Sequence, residues 1–161
     1  MITAWRAIKK EHVKKAFTGE GAKLYGGRWN PRGYAAIYLA QHLSLAILEL
    51  IVHLDDHDDI NDFRAIPVTF EASRVYRLTK ARLPQNWFKI PIPEQPQAAG
   101  KKWLEDGQSL ILEVPSVVVP SESNYVINPR HPDFPKLAIG SPQPLHIDIR
   151  LTNLIPQAGR E

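Results

Sequence analysis

The chain has no cysteine among its 161 residues, and this absence excludes disulfide bonds, thiolate metal ligands and cysteine nucleophiles. It also lacks any run of about 18 consecutive apolar residues, so the sequence predicts no membrane span. Residues 1–6 lead directly into a lysine-rich stretch that leaves no place for the apolar core of a signal peptide, and we therefore expect a cytoplasmic protein. Internal repeats and low-complexity runs are absent as well.

The charge balance is mildly positive, with 20 Lys and Arg against 17 Asp and Glu and a formal charge of +3. This surplus is compatible with an anionic ligand or with nucleic acid and is too small to choose between them. Hydrophobic residues at 43% and charged residues at 23% are typical of a soluble globular protein. The length predicts one domain, which we place at residues 1–161.

Hydrophobic patterning predicts an α+β fold built around a mostly antiparallel sheet, because short strands occur without regular alternation with helices. The predicted strands are 2–8, 35–40, 63–70, 74–78, 109–114, 117–119, 125–127 and 146–151. Pro67 is expected to place its strand at an edge of the sheet, since proline cannot donate to a ladder. Short helices are predicted over 11–17 and 98–105, and the proline-rich passage 84–96 is predicted as an ordered loop.

One further helix is predicted over 45–54, with Ser44 as its N-cap. It is apolar nearly all round, which indicates a buried helix. Glu49 shares a face with Leu45 and Val52, and a carboxylate in such a wall must be paired or used.

The polar end of this helix contains His53 and His57, four residues apart, with aspartates at 55, 56, 58 and 59. Four residues is the spacing of a helical metal pair. A solvated acidic helix end explains the same residues better, and we predict no metal site.

Residues 25–33 carry three glycines, a proline and an asparagine together with Arg28, Arg32, Tyr25 and Trp29. Glycine permits a tight turn and a close approach to a ligand, while arginine forks bind anions and aromatic rings stack. A connecting turn has no need of paired arginines and a tryptophan, so the composition favours a binding loop. An arginine-anchored turn with Trp29 covering the core is the structural alternative.

Combined with Tyr38 and Glu49, this loop would suit a ligand that carries both phosphate and a base. It matches neither a P-loop nor a dinucleotide-binding glycine fingerprint, and the chain has no Gly-x-Ser-x-Gly elbow.

The motifs at residues 27–33, 37–38, 44–50, 114–116 and 124–132 resemble, in their order and spacing, those of the RES domain family. The resemblance implies a fold like that of the ADP-ribosyltransferase toxins and consumption of NAD as substrate, without a metal. It also implies a cognate Xre-type antitoxin as partner, a homodimer within the toxin–antitoxin complex, and no direct binding of nucleic acid.

The resemblance further assigns roles to individual residues. Arg28 would bind NAD, Tyr38 would pack at the nicotinamide end, and Glu49 and Ser116 would complete the catalytic site. Arg6 and Asn124 are expected as further NAD ligands. Three residues compete with Asn124 for its role: Ser121, Ser123 and Asn128.

Each assignment has a structural alternative. Without the resemblance, Tyr38 reads as an ordinary strand aromatic, Ser116 as a turn residue and Glu49 as the partner of a structural arginine.

The expected function is therefore a toxin that cleaves the nicotinamide–ribose bond of NAD as a glycohydrolase or phosphorylase. The alternatives are a mono-ADP-ribosyltransferase that modifies a host protein and, less favoured, a nucleic-acid-binding or RNA-cleaving toxin. The residues do not decide whether the acceptor is water, phosphate or a protein side chain.

Overall fold

The computed structural model describes residues 1–54 and 60–152. His57 and its neighbouring aspartates therefore lie outside the described residues. The described part has one sheet that contains every strand, and four α-helices. The strands are β1 (Ile2–Lys9), β2 (Ile37–Ala40), β3 (Phe63–Phe70), β4 (Val75–Arg77), β5 (Ile111–Pro115), β6 (Ser123–Ile127), β7 (Ala138–Ile139) and β8 (Gln143–Pro144). The helices are α1 (Glu20–Tyr25), α2 (Leu43–Ile51), α3 (Glu94–Asp106) and α4 (Ile149–Thr152).

Short 3₁₀ helices join several of these elements. They are Lys10–Lys15, Ile60–Asp62, Ala72–Arg74, Lys80–Arg82 and Phe134–Lys136. The first of them confirms the helical segment predicted over 11–17.

The sheet follows the order β4-β5-β6-β2-β1-β3-β7, and β8 also pairs with β3. All of these pairs are antiparallel except β4 with β5. The predicted α+β class with a mostly antiparallel sheet is thus confirmed. Strand β2 lies in the middle of this order, between β1 and β6, so residues on three adjacent strands can face one site.

Alternation along the central strands sends neighbouring side chains into two different clusters of the core, because successive side chains point to opposite faces. Ile37 and Leu39 pack in one cluster with Tyr125 and Ile127. Tyr38 packs against the other cluster, which contains both buried tryptophans. That second cluster consists of Trp29, Ala36, Trp103, Leu112, Val114 and Val126.

The predicted Glu49 helix differs from α2 in its start and its burial. It begins at Leu43 after His42, whose backbone is extended, so Ser44 lies inside the first turn rather than at the N-cap. Leu45 and Ala46 are buried, whereas Leu48 is exposed. The helix packs on β1 and β2 and presents another side to a cleft, so the prediction of an all-round buried helix is wrong.

The predicted edge position of Pro67 is also wrong. Strand β3 pairs with β1 along its whole length on one side and with β7 and β8 on the other. The pairing residues of β7 and β8 face positions 68–69 and 64–65, so Pro67 lies between the two short ladders. Its missing N–H is tolerated there, and its carbonyl accepts a bond from Gly140 N at 2.8 Å.

Two predicted strands do not form. Residues 117–119 turn instead, because the backbone N–H groups of Val118 and Val119 both donate to the Ser116 hydroxyl at 3.0 Å. At the other site, the Asp148 carboxylate accepts from the backbone N–H of Arg150 at 2.9 Å, and α4 replaces the strand predicted over 146–151. Local side-chain bonds to the backbone compete with the ladder in both cases.

Helix α3 begins earlier than predicted, at Glu94, because Pro96 is accommodated in its first turn, where a proline costs no intrahelical bond. It ends before Gly107, which has a φ of 58°, as predicted. No helix in residues 1–54 and 60–152 has the length and apolar character needed to cross a bilayer.

Candidate active site

The loop 25–33 is held rigidly by its own backbone and by Asn30. Gly27 N donates to Asn30 O at 2.9 Å, and Asn30 Nδ2 donates to the carbonyls of Ala22 and Tyr34 at 2.8 and 2.9 Å. Asn30 is fully buried, so these bonds satisfy its amide in the core. The loop is therefore a fixed platform.

The aromatic and arginine side chains of this loop lie in different environments. Trp29 is 2% exposed and belongs to a core cluster, as in the structural alternative. Arg32 is exposed and is not part of the cleft lining, whereas Arg28 lines it. Of the two arginines of the loop, Arg28 is therefore the one placed to contact a ligand in the cleft.

A cleft of about 600 Å³ opens between this loop, α2 and the strands β1, β2 and β6. It brings together five of the six predicted site residues: Arg6, Arg28, Tyr38, Glu49 and Asn124. Ser116 lies behind the cleft wall and is fully buried. The volume falls within the usual range for small-molecule sites.

Glu49 projects from α2 into this cleft, and two donors hold its carboxylate. Ser116 Oγ and Asn124 Nδ2 each donate to the same oxygen, Oε1, at 2.7 Å. Both hydrogen bonds are short and come from neutral donors, so together they fix the position of Oε1. Oε2 receives no hydrogen bond from the described residues and is left for a ligand.

Ser116 is bonded on every side. Its hydroxyl donates to Glu49 and accepts from Val118 N and Val119 N. With no exposed surface, the residue reaches the cleft through the Glu49 carboxylate it orients.

Tyr38 contributes its ring to the cleft while its hydroxyl faces the loop platform. The hydroxyl donates to Asn30 Oδ1 at 2.6 Å and accepts from Trp29 N at 3.1 Å. Burial of this group raises the pKa of Tyr38 well above its ordinary value, although the Trp29 N–H and the charge of Arg28 oppose the shift. Its hydroxyl therefore stays protonated at neutral pH, and the exposed part of the side chain is an aromatic surface.

Arg6 crosses from β1 toward β2, where Nη1 donates to the carbonyl of Tyr38 at 2.9 Å. Its Nε is buried and has no partner among the described residues. Burial lowers the pKa of Arg6 to about 10, so the side chain remains charged at neutral pH. This N–H is therefore available to an anionic acceptor.

Arg28 lies on the other side of the cleft. Its Nη1 donates to the carbonyls of Trp87 and Lys89 at 2.6 and 3.0 Å. Partial burial lowers the pKa of Arg28, and the nearby Glu49 charge opposes that change. Since both bonds use one nitrogen, the rest of the guanidinium fork remains available for a phosphate.

Sequence reasoning missed a buried carboxylate, Glu113 on β5. It accepts from Arg77 Nε at 2.9 Å and from Ser123 Oγ at 2.8 Å. It is not part of the cleft lining, and Ser123 is bonded to it, whereas Asn124 is bonded to Glu49. Alternation along β6 explains this difference and could have selected Asn124 over Ser123 from the sequence.

The cleft wall also includes Ile90 and Ile92 of the proline-rich passage 84–96, which were not predicted as site residues. In residues 1–54 and 60–152, no three His, Asp or Glu side chains come together as a metal ligand set.

The profile of the RES domain family matches residues 3–148 of the chain. A protein named Toxin Res from Yersinia enterocolitica is 41% identical over 141 residues, which cover 88% of this chain and 92% of the relative. A Prs ADP-ribosylating toxin from a Sphingobium strain is 36% identical over 135 residues, covering 80% of this chain and 83% of that protein.

Among solved structures, the Mycobacterium tuberculosis MbcT–MbcA toxin–antitoxin complex contains a chain that superimposes with a TM-score of 0.72 at 21% identity. The match covers 96% of this chain and 88% of the other, and it shows that the two chains share one fold. The family profile and the curated relatives show that the chain belongs to the RES domain family.

Proposed function

We propose that the protein is the toxin of a toxin–antitoxin system and that it cleaves the bond between nicotinamide and ribose in NAD. The observation that carries this proposal is the fixed Glu49 carboxylate in a cleft that is also lined by Arg6 and Arg28. The names of the relatives, Toxin Res and Prs ADP-ribosylating toxin, support the same class of activity.

The chemistry requires an anion beside the sugar. When the glycosidic bond breaks, its electron pair leaves with nicotinamide, which departs neutral, and the ribose becomes an oxocarbenium-like cation. A carboxylate at about 4 Å from that cation would contribute about 4 kcal/mol at an effective dielectric near 20. This corresponds to roughly a thousandfold in rate. Glu20 also lines the cleft, but it is exposed and pairs with Lys15 at 3.7 Å. Glu49 is the carboxylate that Ser116 and Asn124 hold in place for this role.

Two arginines support the diphosphate of the same ligand. Arg6 has a buried Nε that lacks a protein acceptor, and Arg28 has donors beyond the nitrogen it uses for the loop carbonyls. Phosphate oxygens suit both groups because charge-assisted bonds to arginine are strong and directional. The ring of Tyr38, whose hydroxyl is occupied, offers a stacking surface for an aromatic ring.

Asn124 would contact both Glu49 and the ligand. Its Nδ2 holds Glu49 at 2.7 Å, and its Oδ1 is buried without a hydrogen bond among the described residues. A ligand hydroxyl donating to Oδ1 would satisfy that atom. We therefore keep Asn124 as an NAD ligand, alongside its contact with the carboxylate.

Transfer of ADP-ribose to a protein is the second candidate function. It is favoured by the relative named as an ADP-ribosylating toxin and by the open mouth of the cleft, where Tyr25 and Val52 are exposed. In that reaction a protein side chain replaces water or phosphate as the nucleophile on the ribosyl cation, and Glu49 keeps its role.

We further propose an antitoxin as the protein partner, because the structural neighbour was solved as a toxin–antitoxin complex. An Xre-type antitoxin and a homodimer within the complex remain predictions.

The test is nicotinamide release from NAD by the purified protein without antitoxin, measured with and without inorganic phosphate. Free ADP-ribose would identify water as the acceptor, and a phosphorylated ADP-ribose would identify phosphate. NAD labelled on its adenosine would leave label on a protein if transfer occurs. Absence of nicotinamide release from folded protein, whether the acceptor offered is water, phosphate or a protein, would refute the proposal.

A further inference from the structure

One wall of the cleft carries two exposed isoleucines. Ile90 and Ile92 line the cleft, yet 83% and 44% of their respective surfaces remain accessible. Removal of large apolar side chains from water is favourable, so a ligand that covers them in a concave site binds more tightly. Their exposure therefore points to an apolar part of the ligand.

Arg28, in the rigid loop 25–33, is hydrogen-bonded to the segment that carries these isoleucines. Its Nη1 bonds to the carbonyls of Trp87 and Lys89 attach the segment at the positions just before Ile90. Pro91 and Pro93 restrict the backbone on either side of Ile92. The segment thus holds both isoleucines close to the guanidinium that we propose binds the diphosphate.

We infer that Ile90 and Ile92 contact the ligand and form the apolar wall against which an aromatic ring of the dinucleotide packs while Arg28 holds the diphosphate. This inference rests on the proposed function, which supplies a ligand with two rings joined by a diphosphate. Adenine and nicotinamide share the flat apolar surface that the wall recognises, and the test separates them.

The test measures binding by calorimetry in a Glu49→Gln background, so that no ligand is consumed. The probes are ADP-ribose, which has only adenine, nicotinamide mononucleotide, which has only nicotinamide, and pyrophosphate, which has no ring. Ile90→Ser and Ile92→Ser are each compared with Phe88→Ser. Phe88 is 52% exposed in the same segment but is not part of the cleft lining.

We expect each isoleucine variant to weaken binding of at least one ring-bearing probe about tenfold and to leave pyrophosphate binding unchanged. Loss for ADP-ribose assigns the wall to adenine, and loss for the mononucleotide assigns it to nicotinamide. The inference is overturned by unchanged affinity for both, by an equal loss for pyrophosphate or in Phe88→Ser, or by a parent protein that binds neither ring-bearing probe. A protein that binds ADP-ribose through this wall but releases no nicotinamide from NAD would refute the proposed function instead.

Discussion

Ser116 donates a hydrogen bond of 2.7 Å to Glu49 Oε1 across 67 positions of the sequence. Asn124 on β6 reaches the same oxygen at the same distance, so one side of the carboxylate is fixed from β6 and from the residue that follows β5. Ser116 is buried and also accepts two backbone N–H groups, which makes its orientation rigid. We therefore regard Ser116 as a positioning residue that acts through Glu49.

Replacing Ser116 by alanine is expected to lower kcat for nicotinamide release about tenfold to a hundredfold, because small displacements of a reacting group are costly. KM for NAD should change little, since Ser116 does not line the cleft. Two partly buried N–H groups also lose their acceptor, at a cost of about 1 kcal/mol each in the free energy of unfolding. Steady-state kinetics and urea unfolding measure the two effects.

Ser123→Ala is the matched control, because its hydroxyl donates to a different carboxylate, that of the buried Glu113, at 2.8 Å. It should lose stability with an unchanged kcat. A similar fall of kcat in both variants would show that Ser116 acts only through the stability of the fold.

Replacing Glu49 by glutamine removes the charge and keeps the shape of the side chain. We expect nicotinamide release to fall by roughly a thousandfold, since the electrostatic contribution near the cation is about 4 kcal/mol. Ser116 and Asn124 can still donate to an amide oxygen, so the fold should remain intact by circular dichroism. Glu113→Gln, which weakens the ion pair with Arg77, should retain turnover despite lower stability. Full activity in Glu49→Gln would contradict the mechanism.

Side-chain chemistry concentrated in a short stretch was predictable from the sequence. Arg28 and Tyr38 occur in residues 25–40, and Glu49 is a carboxylate within an apolar helix, so each stands out locally. The strands over 2–8 and 63–70 were predictable for a similar reason, because an apolar strand pattern does not depend on distant partners.

Features that depend on distant contacts were not predictable. Residues 117–119 have the composition of a strand, but the backbone N–H groups of Val118 and Val119 donate to the Ser116 hydroxyl instead of to a neighbouring strand. Trp29 looks available for stacking until α3 packs on it. The separate positions of Ser116 and Asn124 around one oxygen likewise depend on the pairing of β5 with β6 and on the placement of α2.

Gly100 allows α3 to contact the loop that carries Arg28. A Cβ at this position would lie 1.7 Å from the carbonyl oxygen of Trp29. Gly100→Ala must push the helix and the loop apart, and we expect the free energy of unfolding to fall by about 3 kcal/mol, with a higher KM for NAD. Denaturant unfolding and initial-rate kinetics provide the measurements.

Gly21→Ala, in helix α1, is the control for the loss of a helical glycine. A Cβ there meets no atom within 4 Å, so this change should stabilise the protein by about 0.5–1 kcal/mol. Equal stability of the two variants would refute the close packing of α3 on the loop.

The buried hydroxyl of Tyr38 makes stability depend on pH in a specific direction. Burial raises its pKa in the folded state above the ordinary value of 10.0, so above pH 10 the unfolded chain loses this proton first and folding stability falls. Tyr38→Phe lacks this loss. The stability advantage of the wild type should therefore be constant below pH 10 and shrink above it by up to about 1.4 kcal/mol per pH unit. The lowered pKa of Arg6 acts in the opposite direction, but Arg6 is present in both proteins and its effect largely cancels from the difference.

Urea unfolding at several pH values measures the stability difference between wild type and Tyr38→Phe, with the exposed Tyr25→Phe as control. A gap that stays constant above pH 10, or that narrows equally for Tyr25→Phe, would show that the Tyr38 hydroxyl is not enclosed by Asn30 and Trp29 in solution.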